Sequence, residues 1–382
     1  MKIVHIMNYF NSSTNYQENH MLRQHVLDGH MAWMITSDRN FPHPDYEHTT
    51  KPYLGERIIG TGRFVEFGVN IIRLPVAFEK RARNWLCGLF VELRNIDPDV
   101  IILHALLDLT TIRLLLARPM RARLLVDEHQ LPGQVDNSLL GKLIYTLFNF
   151  LFRHCLLRKA EKIIAISDGC VQTLRNLFKI PPERIEVIPL GADDDFFYPD
   201  KNKRSTFREE RGISEDVIVI VHTGKLYEGK KAHVLVEAAA QVRTRRTIHL
   251  LIVGTPTQEY SLGFRECLEN SGLPYTYIPW LGQEDLARAY CASDIAVWPG
   301  AASISALEAA ACGLPIIVTD DLTDRYQRGN GFGIPFGSLD RLTEALEILV
   351  NDENLRIKMG NASAAYIKNE LSWKVLTKRF LA

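Results

Sequence analysis

The sequence contains neither a cysteine pair at metal-binding or redox spacing nor a long apolar run. Its six cysteines are scattered over 382 residues without a C-x-x-C pair, which argues against a zinc site and a disulfide framework and favours reduced thiols. No apolar stretch reaches the roughly 20 residues that a membrane-spanning helix needs, and the N-terminus becomes polar too early for a signal peptide. We therefore expect a cytoplasmic protein.

The chain also lacks an excess of either charge. Lysine and arginine number 45, as do aspartate and glutamate, which argues against a general nucleic-acid-binding protein. No short-period repeat or low-complexity tract is evident. Apolar sequence, in contrast, is abundant, because 46% of the residues are hydrophobic. This composition supplies a large core, and the length favours two domains.

Short apolar runs alternate with longer helical patterns along the chain, which is typical of parallel sheets with crossover helices. The segment 191–203 is polar and turn-rich, and we interpret it as a linker between two such series. The sequence therefore predicts an α/β fold with two Rossmann-like domains that face each other across a cleft. Strands are predicted at 3–7, 32–36, 71–74, 100–103, 123–127, 162–166 and 185–189, and then at 217–223, 249–253, 275–278, 295–298, 316–318 and 333–335.

Glu308 stands near the start of an alanine-rich segment that follows the predicted strand 295–298. Open α/β sheets bind ligands at the carboxyl ends of their strands, so a carboxylate here can accept hydrogen bonds from a hydroxylated ligand such as a ribose. The alternative is a capping box, in which Glu308 folds back on its own backbone three residues after Ser305. Taken alone, the segment fits both interpretations equally.

A glycine and two lysines follow the first strand of the second series. Gly224 lets the backbone approach a phosphate, while Lys225 and Lys230 place two positive charges on a diphosphate and stabilise it as it leaves. A solvated basic loop is the alternative, since most lysines point into water. The position at a strand end, like that of the Glu308 segment, favours phosphate binding.

Three segments share an order and spacing that are more specific than any one of them. They read Ile-Pro-Leu-Gly-Ala-Asp-Asp-Asp-Phe at 188–196, Gly-Lys-Leu-Tyr-Glu-Gly-Lys-Lys at 224–231 and Leu-Glu-Ala-Ala-Ala-Cys-Gly-Leu-Pro at 307–315. Together they resemble the retaining GT-B glycosyltransferases of the glycogen-synthase-like and mannosyltransferase family (group 1, family 4), over essentially the whole chain. The resemblance implies an acceptor-binding domain at 1–197, a nucleotide-sugar-binding domain at 198–365 and a C-terminal helix, 366–382, that crosses back to the first domain.

The resemblance also implies a donor site. Glu308 matches the glutamate that holds the nucleotide ribose, and Lys230 and Lys225 match the two cations, although Lys225 replaces an arginine and loses its bidentate geometry. The family's first glutamate is absent, because Gly300 stands at its place; this carboxylate normally contacts the donor sugar, so the sugar stays open. The other predicted donor contacts are Gly224, Gly300, Ser303, Ile304 and Ser305.

Residues of the first half are predicted to contribute as well. His129 follows the strand 123–127 and resembles the family's histidine below the donor sugar, which implies that it orients or polarises the sugar beside the anomeric carbon; a lone histidine is otherwise more often structural. Asn15, Tyr16 and Gln17 follow the first strand, where the family has a Gly-Gly pair, and are predicted to line the acceptor entrance.

Two stretches, 78–90 and 139–162, combine bulky apolar residues with lysine or arginine at helical spacing. Such helices can rest on an anionic membrane where a lipid-linked acceptor sits. They can equally be packed helices with basic rims, and we slightly prefer this interpretation because core helices dominate globular folds.

These observations and the resemblance together predict a retaining glycosyltransferase that uses a UDP- or GDP-linked sugar as its substrate and needs no cofactor. No metal site is predicted, since no Asp-x-Asp pair stands at a strand end. The expected acceptor is a glycan, a lipid-linked molecule or a small molecule in surface polysaccharide or glycoconjugate synthesis, with peripheral contact at the inner face of the membrane. The alternatives are a glycosyltransferase-like binding subunit without catalysis and a GT-B-type sugar-nucleotide epimerase.

Overall fold

The computed structural model describes residues 1–12, 16–43, 46–80, 82–118, 121–132, 138–301 and 303–382. This part of the chain divides into two compact units, one comprising Met1–Leu190 and Leu376–Ala382, the other Gly191–Val375. Within the described ranges, no helix combines the length and the apolar character needed to cross a membrane.

The first unit is built on a mostly parallel sheet. Its strands are β1 (Lys2–Ile6), β2 (Met31–Ser37), β3 (Gly62–Glu66), β4 (Val69–Leu74), β5 (Val76–Lys80), β6 (Arg83–Leu86), β7 (Val100–Leu103), β8 (Arg123–Glu128), β9 (Ala160–Ala165) and β10 (Ile185–Val187). Eight of them lie in the order β10-β9-β8-β7-β1-β2-β4-β3, with only β3 antiparallel to its neighbour, while β5 and β6 form a separate hairpin. The chain order reverses between β1 and β7, where open α/β sheets bind ligands.

The helices of the first unit are α1 (Gln17–Leu27), α2 (Tyr46–Thr49), α3 (Lys51–Leu54), α4 (Leu89–Ile96), α5 (Leu109–Leu116), α6 (Leu139–Leu151), α7 (Arg153–Lys159) and α8 (Asp168–Asn176), with a 3-10 turn at Pro182–Arg184. The central strand β7 reads Val-Ile-Ile-Leu and is wholly buried. Such continuous apolar strands are typical of parallel sheets that are covered on both faces.

The second unit has six parallel strands: β11 (Ile218–Thr223), β12 (Ile248–Val253), β13 (Tyr275–Ile278), β14 (Ile295–Val297), β15 (Ile316–Thr319) and β16 (Gly331–Ile334). Their order is β13-β12-β11-β14-β15-β16, which is the strand order of a Rossmann fold. The point where this order reverses lies between β11 and β14, so a ligand is expected at the carboxyl ends of these two strands.

The helices of the second unit are α9 (Lys201–Glu210), α10 (Ala232–Gln241), α11 (Gln258–Asn270), α12 (Gln283–Ala292), α13 (Ser305–Ala311), α14 (Thr323–Tyr326), α15 (Leu339–Asn351), α16 (Glu353–Tyr366) and α17 (Trp373–Leu381), with a 3-10 turn at Glu228–Lys230 and a π turn at Ile367–Leu371. The last residues of α17 belong to the first unit. There Arg123 and Lys162 donate to the carbonyl oxygens of Leu381 and Arg379, at 2.7 and 2.9 Å.

The predicted α/β fold with two Rossmann-like units is confirmed, and every predicted strand overlaps a strand of the structure. The helical interpretation of 78–90 is wrong, because this segment contains the hairpin of β5 and β6 and only the start of α4. Phe78 lies opposite Trp85 in the hairpin, and paired aromatic residues stabilise antiparallel strands. The spacing of apolar and basic residues in this segment fits a helix and a short hairpin alike.

The second basic and apolar stretch forms α6, α7 and the start of β9. Helix α6 buries Gly141, Tyr145 and Phe148. Its other side is apolar and exposed. The interpretation of 139–162 as a packed helix therefore holds for only one face of α6. The exposed side chains on the other face are Leu139, Leu140, Leu143, Leu147, Phe150 and Leu151, at 47–87% exposure.

Candidate functional site

In the second unit, the loops after β11 and β14 approach each other. Gly224 follows β11 with φ of +119°, a conformation that other residues rarely adopt. A Cβ atom at Gly224 would lie 3.8 Å from Oγ of Ser303, in the loop after β14. Ser303 in turn donates to Oγ of Ser305 at 3.0 Å, and Ile304 accepts the backbone hydrogen bonds of Leu307 and Glu308. Gly224, Ser303, Ile304 and Ser305 are therefore placed at the switch point of this sheet.

Lys230 reaches the same loop. Its residue surface is 8% exposed, and its Nζ donates to the carbonyl oxygen of Ala301 at 2.6 Å. Burial, together with the positive charge of Arg325, lowers the pKa of Lys230 to about 8. Lys225 differs, because it is exposed and lines a separate pocket beside Tyr227 and Thr257. The structure thus brings Lys230 to the loop after β14 and places Lys225 in a different pocket.

Glu308 is 3% exposed, and its carboxyl group makes no hydrogen bond within the described part of the chain. Burial, together with the nearby charge of Asp193, raises the pKa of Glu308 to about 8. The capping-box alternative is therefore wrong: helix α13 has Ile304 at its N-cap, and no side chain caps it. Since buried polar groups are normally paired, a buried carboxyl without a partner indicates a place for a ligand.

Gly300 explains why no glutamate stands at its position. A Cβ atom there would lie 2.4 Å from the carbonyl oxygen of Gly229 and 2.8 Å from the carbonyl carbon of Lys230. The amide of Ala301 also donates to that oxygen of Gly229, at 2.9 Å. The close approach that holds Lys230 against this loop therefore requires glycine, and a larger residue would displace the backbone.

Arg325 is a cation that the sequence analysis missed. It lies on the four-residue helix α14, and its Nη1 donates to the carbonyl oxygen of Ser303 at 2.6 Å. Its residue surface is 8% exposed, and its Nε is buried without a hydrogen-bond partner among the described residues. No motif marks this arginine in the sequence, because it stands beyond β15, away from the two glycine-containing loops.

In the first unit, Asp127 at the end of β8 is the centre of a buried network. Its Oδ2 accepts from Nε2 of Gln17 at 2.7 Å and lies 2.8 Å from Nε2 of His129 and 3.2 Å from Nδ1 of His104. An ionised Asp127 accepts from both rings, which places a proton on each of these nitrogens. Gln17 therefore supports His129 through Asp127, and a direct contact of Gln17 with an acceptor stays a prediction.

Asp127 and His129 shift each other's pKa in opposite directions. Burial alone would raise the pKa of Asp127, but His129 and His104 hold it well below its usual range. Burial would lower the pKa of His129, yet Asp127 outweighs this and raises it to about 9. His129 is one-third exposed, so at neutral pH it presents a positive charge that a ligand can reach.

His104 and His5 were also missed. Nε2 of His104 lies 2.8 Å from Nδ1 of His5, which extends the network from Asp127 to the central strand β1. His104 directly follows the predicted strand 100–103, so the rule that selected His129 could have selected it, whereas His5 lies within the predicted strand 3–7. Within the described residues, Glu18, His104 and His129 could supply ligands to one metal ion, since one atom of each lies within 4.8 Å of the others; both nitrogens of His104 are already engaged.

A cavity of about 540 Å³ lies beside this network, at the switch point between β1 and β7. Tyr16 lines it, as predicted for an acceptor entrance, whereas Asn15 lies outside the described residues. Aromatic rings and charged groups share the lining, which suits a hydroxylated ring such as a sugar. Other residues that line the cavity are Tyr9, Glu18, Phe41, Arg83, His104 and Asp108.

Two family models match the chain. The family described as Glycosyl transferases group 1 matches residues 217–352, and Glycosyltransferase Family 4 matches residues 20–196. The chain is 25% identical over 239 residues to D-inositol 3-phosphate glycosyltransferase of Kribbella flavida, which covers 58% of this chain and 56% of that protein. It is 27% identical over 235 residues to the GDP-mannose-dependent monoacylated alpha-(1-6)-phosphatidylinositol monomannoside mannosyltransferase of Corynebacterium glutamicum, which covers 58% of this chain and 61% of that protein.

Among solved structures, the Anabaena protein HepE in complex with UDP matches with a TM-score of 0.72 at 16% identity, covering 100% of this chain and 98% of that chain. This similarity shows a shared fold. The chain spans about half the length of the curated relatives that it matches.

Proposed function

Since this chain belongs to the group 1 glycosyltransferases, we propose that it transfers a sugar from a nucleotide-diphosphate donor to a hydroxyl of an acceptor, with retention of the anomeric configuration. One observation carries the proposal: Glu308, on the helix after β14, is buried without a hydrogen-bond partner among the described residues, and Lys230 contacts the loop between that strand and that helix. A nucleotide supplies what both groups lack, namely two ribose hydroxyls for the carboxylate and a diphosphate for the ammonium group.

In the proposed complex, the ribose hydroxyls donate to Glu308 and the diphosphate lies against Lys230. Gly224 and Gly300 keep the backbone close to the ligand, since neither carries a side chain that would occupy the space. Ser303, Ile304 and Ser305 offer hydroxyl and backbone groups at the same edge of the sheet. Lys225 stays a proposed second contact, which would require its exposed side chain to turn towards the phosphates.

The proposed reaction needs no nucleophile from the protein. The bond between the anomeric carbon and the diphosphate oxygen breaks, the acceptor oxygen bonds to this carbon from the same face, and the acceptor proton passes to the departing oxygen. Lys230 stabilises the negative charge that grows on the diphosphate. His129, held by Asp127, orients the sugar through its second ring nitrogen, and the cavity lined by Tyr16 receives the acceptor.

The donor sugar is the part of the proposal that the missing glutamate affects. The backbone around Gly300 leaves no room for a carboxylate at this position, so a buried polar contact worth about 1 to 3 kcal/mol is lost. We therefore expect activity with a donor other than UDP-glucose, or broad tolerance among UDP- and GDP-linked sugars. A side-by-side screen of such donors tests this, and a strict preference for UDP-glucose would contradict it.

For the acceptor, we propose a glycan or lipid-linked molecule, with α6 resting on the membrane surface. The named relatives act on inositol phosphate and on a phosphatidylinositol mannoside. Leu139, Leu143, Leu147 and Phe150 form one exposed stripe on α6, and the segment 139–159 contains no acidic residue but several basic ones. An apolar stripe with basic neighbours suits an anionic lipid surface.

Vesicle binding tests this part of the proposal. We expect the protein to sediment with vesicles that contain phosphatidylglycerol and to release when Leu143 and Leu147 are both changed to serine. The double variant Ile348→Ser and Ile357→Ser, which removes exposed apolar residues of the second unit, serves as the control. Equal sedimentation of all three proteins would contradict a role for α6.

The function itself is tested by incubating the protein with UDP- and GDP-sugars and measuring release of the nucleoside diphosphate, with and without candidate acceptors. A glycosyltransferase releases it and forms a glycosylated product. A binding subunit releases none, whereas an epimerase converts the donor without any acceptor into an epimeric sugar nucleotide or, with water, into the epimeric sugar and nucleoside diphosphate. Only the first result supports the proposal.

A further inference from the structure

Two buried cations contact a single loop in the second unit. The ammonium group of Lys230 donates to the carbonyl oxygen of Ala301, and the guanidinium group of Arg325 donates to that of Ser303, both at 2.6 Å. These carbonyls are two residues apart in the loop after β14. Each residue is 8% exposed, so both charges are largely removed from water.

Neither cation has a carboxylate within ion-pair distance in the described part of the chain. Asp321 and Asp324 favour the charged form of Arg325 only from a longer distance, and burial lowers the pKa of Arg325. Its Nε is buried with no hydrogen-bond partner in the described ranges, although a guanidinium group carries five donors in a fixed fork. Buried charges in proteins are normally paired, since an unpaired one costs several kcal/mol.

The local structure holds Arg325 firmly in this place. The side-chain amide of Asn330 donates to the carbonyl oxygen of Arg325 at 2.8 Å, and Asn330 is itself fully buried. Arg328, three residues along the chain, behaves differently, because it is half exposed and pairs with Glu370. Arg325 is therefore a buried arginine that is fixed in position, repelled by a neighbouring lysine and left without an ion-pair partner among the described residues.

We propose that Arg325 binds the diphosphate of the donor together with Lys230, and thereby supplies the second positive charge that the sequence assigned to Lys225. The inference rests on the proposed function, since it concerns the same ligand. An anion between the two cations replaces their mutual repulsion by attraction, and the free Nε and Nη2 donors of Arg325 suit the bidentate contact that arginine makes with phosphate oxygens. Arg325 then stabilises the leaving group through direct contact.

Calorimetric binding of inorganic pyrophosphate, UDP, GDP and uridine to the full chain tests the proposal. We expect Arg325→Gln to weaken binding of pyrophosphate and of the preferred nucleoside diphosphate by about tenfold or more, because a charge-assisted contact is lost. Uridine binding should stay within about twofold of the unmodified protein. The matched control Arg328→Gln should leave all four affinities unchanged. If Arg325→Gln does not fold, Arg325→Lys replaces it, with an expected loss of about fivefold for pyrophosphate and none for uridine.

The inference would be overturned if a folded Arg325 variant bound pyrophosphate as tightly as the unmodified protein does. It would also be overturned if the variant lost affinity for uridine and for pyrophosphate by the same factor, because this result would indicate a purely structural role for Arg325. Absence of binding of pyrophosphate and of both diphosphates to the unmodified protein would also overturn it. The proposed function fails separately: an Arg325-dependent pyrophosphate site in a protein that turns over no nucleotide sugar supports the anion site and contradicts glycosyl transfer. Normal sugar transfer by Arg325→Gln would support glycosyl transfer and contradict the role of Arg325 in binding the diphosphate.

Discussion

The two units of the protein treat their buried ionisable groups in opposite ways. In the first unit, Asp127 accepts from Gln17 and lies within hydrogen-bond distance of His104 and His129. In the second unit, Glu308 is buried without a hydrogen-bond partner in the described part of the chain, and Lys230 contacts only a backbone carbonyl. The first cluster therefore pairs its charges within the protein, although Oδ1 of Asp127 and Oε1 of Gln17 are buried without partners among the described residues. The second cluster has no such pairing among the described residues and lacks the groups that a ligand would provide.

The directions of the pKa shifts express this difference. Asp127 and His129 stabilise each other's charges, so the pKa of the acid is lowered and that of the base is raised to about 9. Glu308 and Lys230 have no oppositely charged partner among the described residues, so burial, with the like charges of Asp193 and Arg325, raises the pKa of the acid and lowers that of the base, both to about 8. We infer that the first cluster is preorganised and that a nucleotide completes the second.

The largest expected effect is on turnover. Lys230→Ala should lower kcat by roughly 100-fold or more, because the charge that it provides matters most as the diphosphate leaves. Lys231→Ala is the matched control, since Lys231 pairs with Glu228 at the surface, and it should retain near-normal kcat. Steady-state kinetics with the preferred donor measure both. An unchanged kcat with a raised KM would limit Lys230 to binding of the donor.

In the first unit, the effect should fall on stability. Asp127→Asn should lower the free energy of unfolding at neutral pH by about 2 to 3 kcal/mol, because it leaves His129 and His104 without their anionic partner. The raised pKa of His129 contributes stability below its unfolded value of about 6.5, and this contribution is lost as the pH rises through about 9. Denaturant unfolding at several pH values should show this loss of stability in the unmodified protein and in the surface control Asp28→Asn, but not in Asp127→Asn. A parallel pH dependence in Asp127→Asn would contradict the pairing.

Glu308→Gln should show the reverse pattern. Nucleotide binding should weaken by about 1 to 2 kcal/mol, because a charged acceptor of the ribose hydroxyls is replaced by a neutral one. The free energy of unfolding should not fall, since the carboxyl group makes no hydrogen bond with the residues that the structure describes. Calorimetry and thermal unfolding measure the two quantities, with the exposed Glu344→Gln as the control. Lower stability with unchanged affinity would mean that Glu308 has a structural role.

The smallest effect concerns pH. Ribose hydroxyls lower the pKa of Glu308 in the complex, so the Lys230→Met variant should bind nucleotide more tightly as the pH rises towards about 8. A diphosphate raises the pKa of Lys230, so Glu308→Gln should bind equally well below about 8 and more weakly above it. Between about pH 6.5 and 9.5 each change should amount to several-fold. The two trends should partly cancel in the unmodified protein. If nucleotide affinity depended on pH in the same way in the unmodified protein, in Lys230→Met and in Glu308→Gln, both expectations would be contradicted.

Most of the fold could be predicted from the sequence, because buried parallel strands are continuous apolar runs such as Val-Ile-Ile-Leu in β7. The strands β3, β5 and β6 were missed, since their half-polar sequences also fit loops or helices. The family was identified from three motifs and is confirmed. The bounds of buried strands and the order of the motifs can therefore be predicted from local sequence, whereas the pairing of edge strands depends on tertiary contacts.

The candidate site was only partly predictable for the same reason. Glu308, Lys230 and His129 follow strands, and their positions relative to those strands could be deduced. Arg325 and Asp127 gain their importance from neighbours that are distant in the chain: Ser303 for the arginine, and Gln17 and His104 for the aspartate. Burial without a partner is likewise a property of the folded chain, and no spacing of residues reveals it.

The most direct test of the account is a crystal structure of the protein with the nucleoside diphosphate that it binds more tightly, UDP or GDP. We expect the ribose hydroxyls within hydrogen-bond distance of the Glu308 carboxylate and the diphosphate oxygens within the same distance of the Lys230 ammonium group. A nucleotide bound elsewhere, with Glu308 still without a partner, would contradict the claim that the ligand completes the second unit.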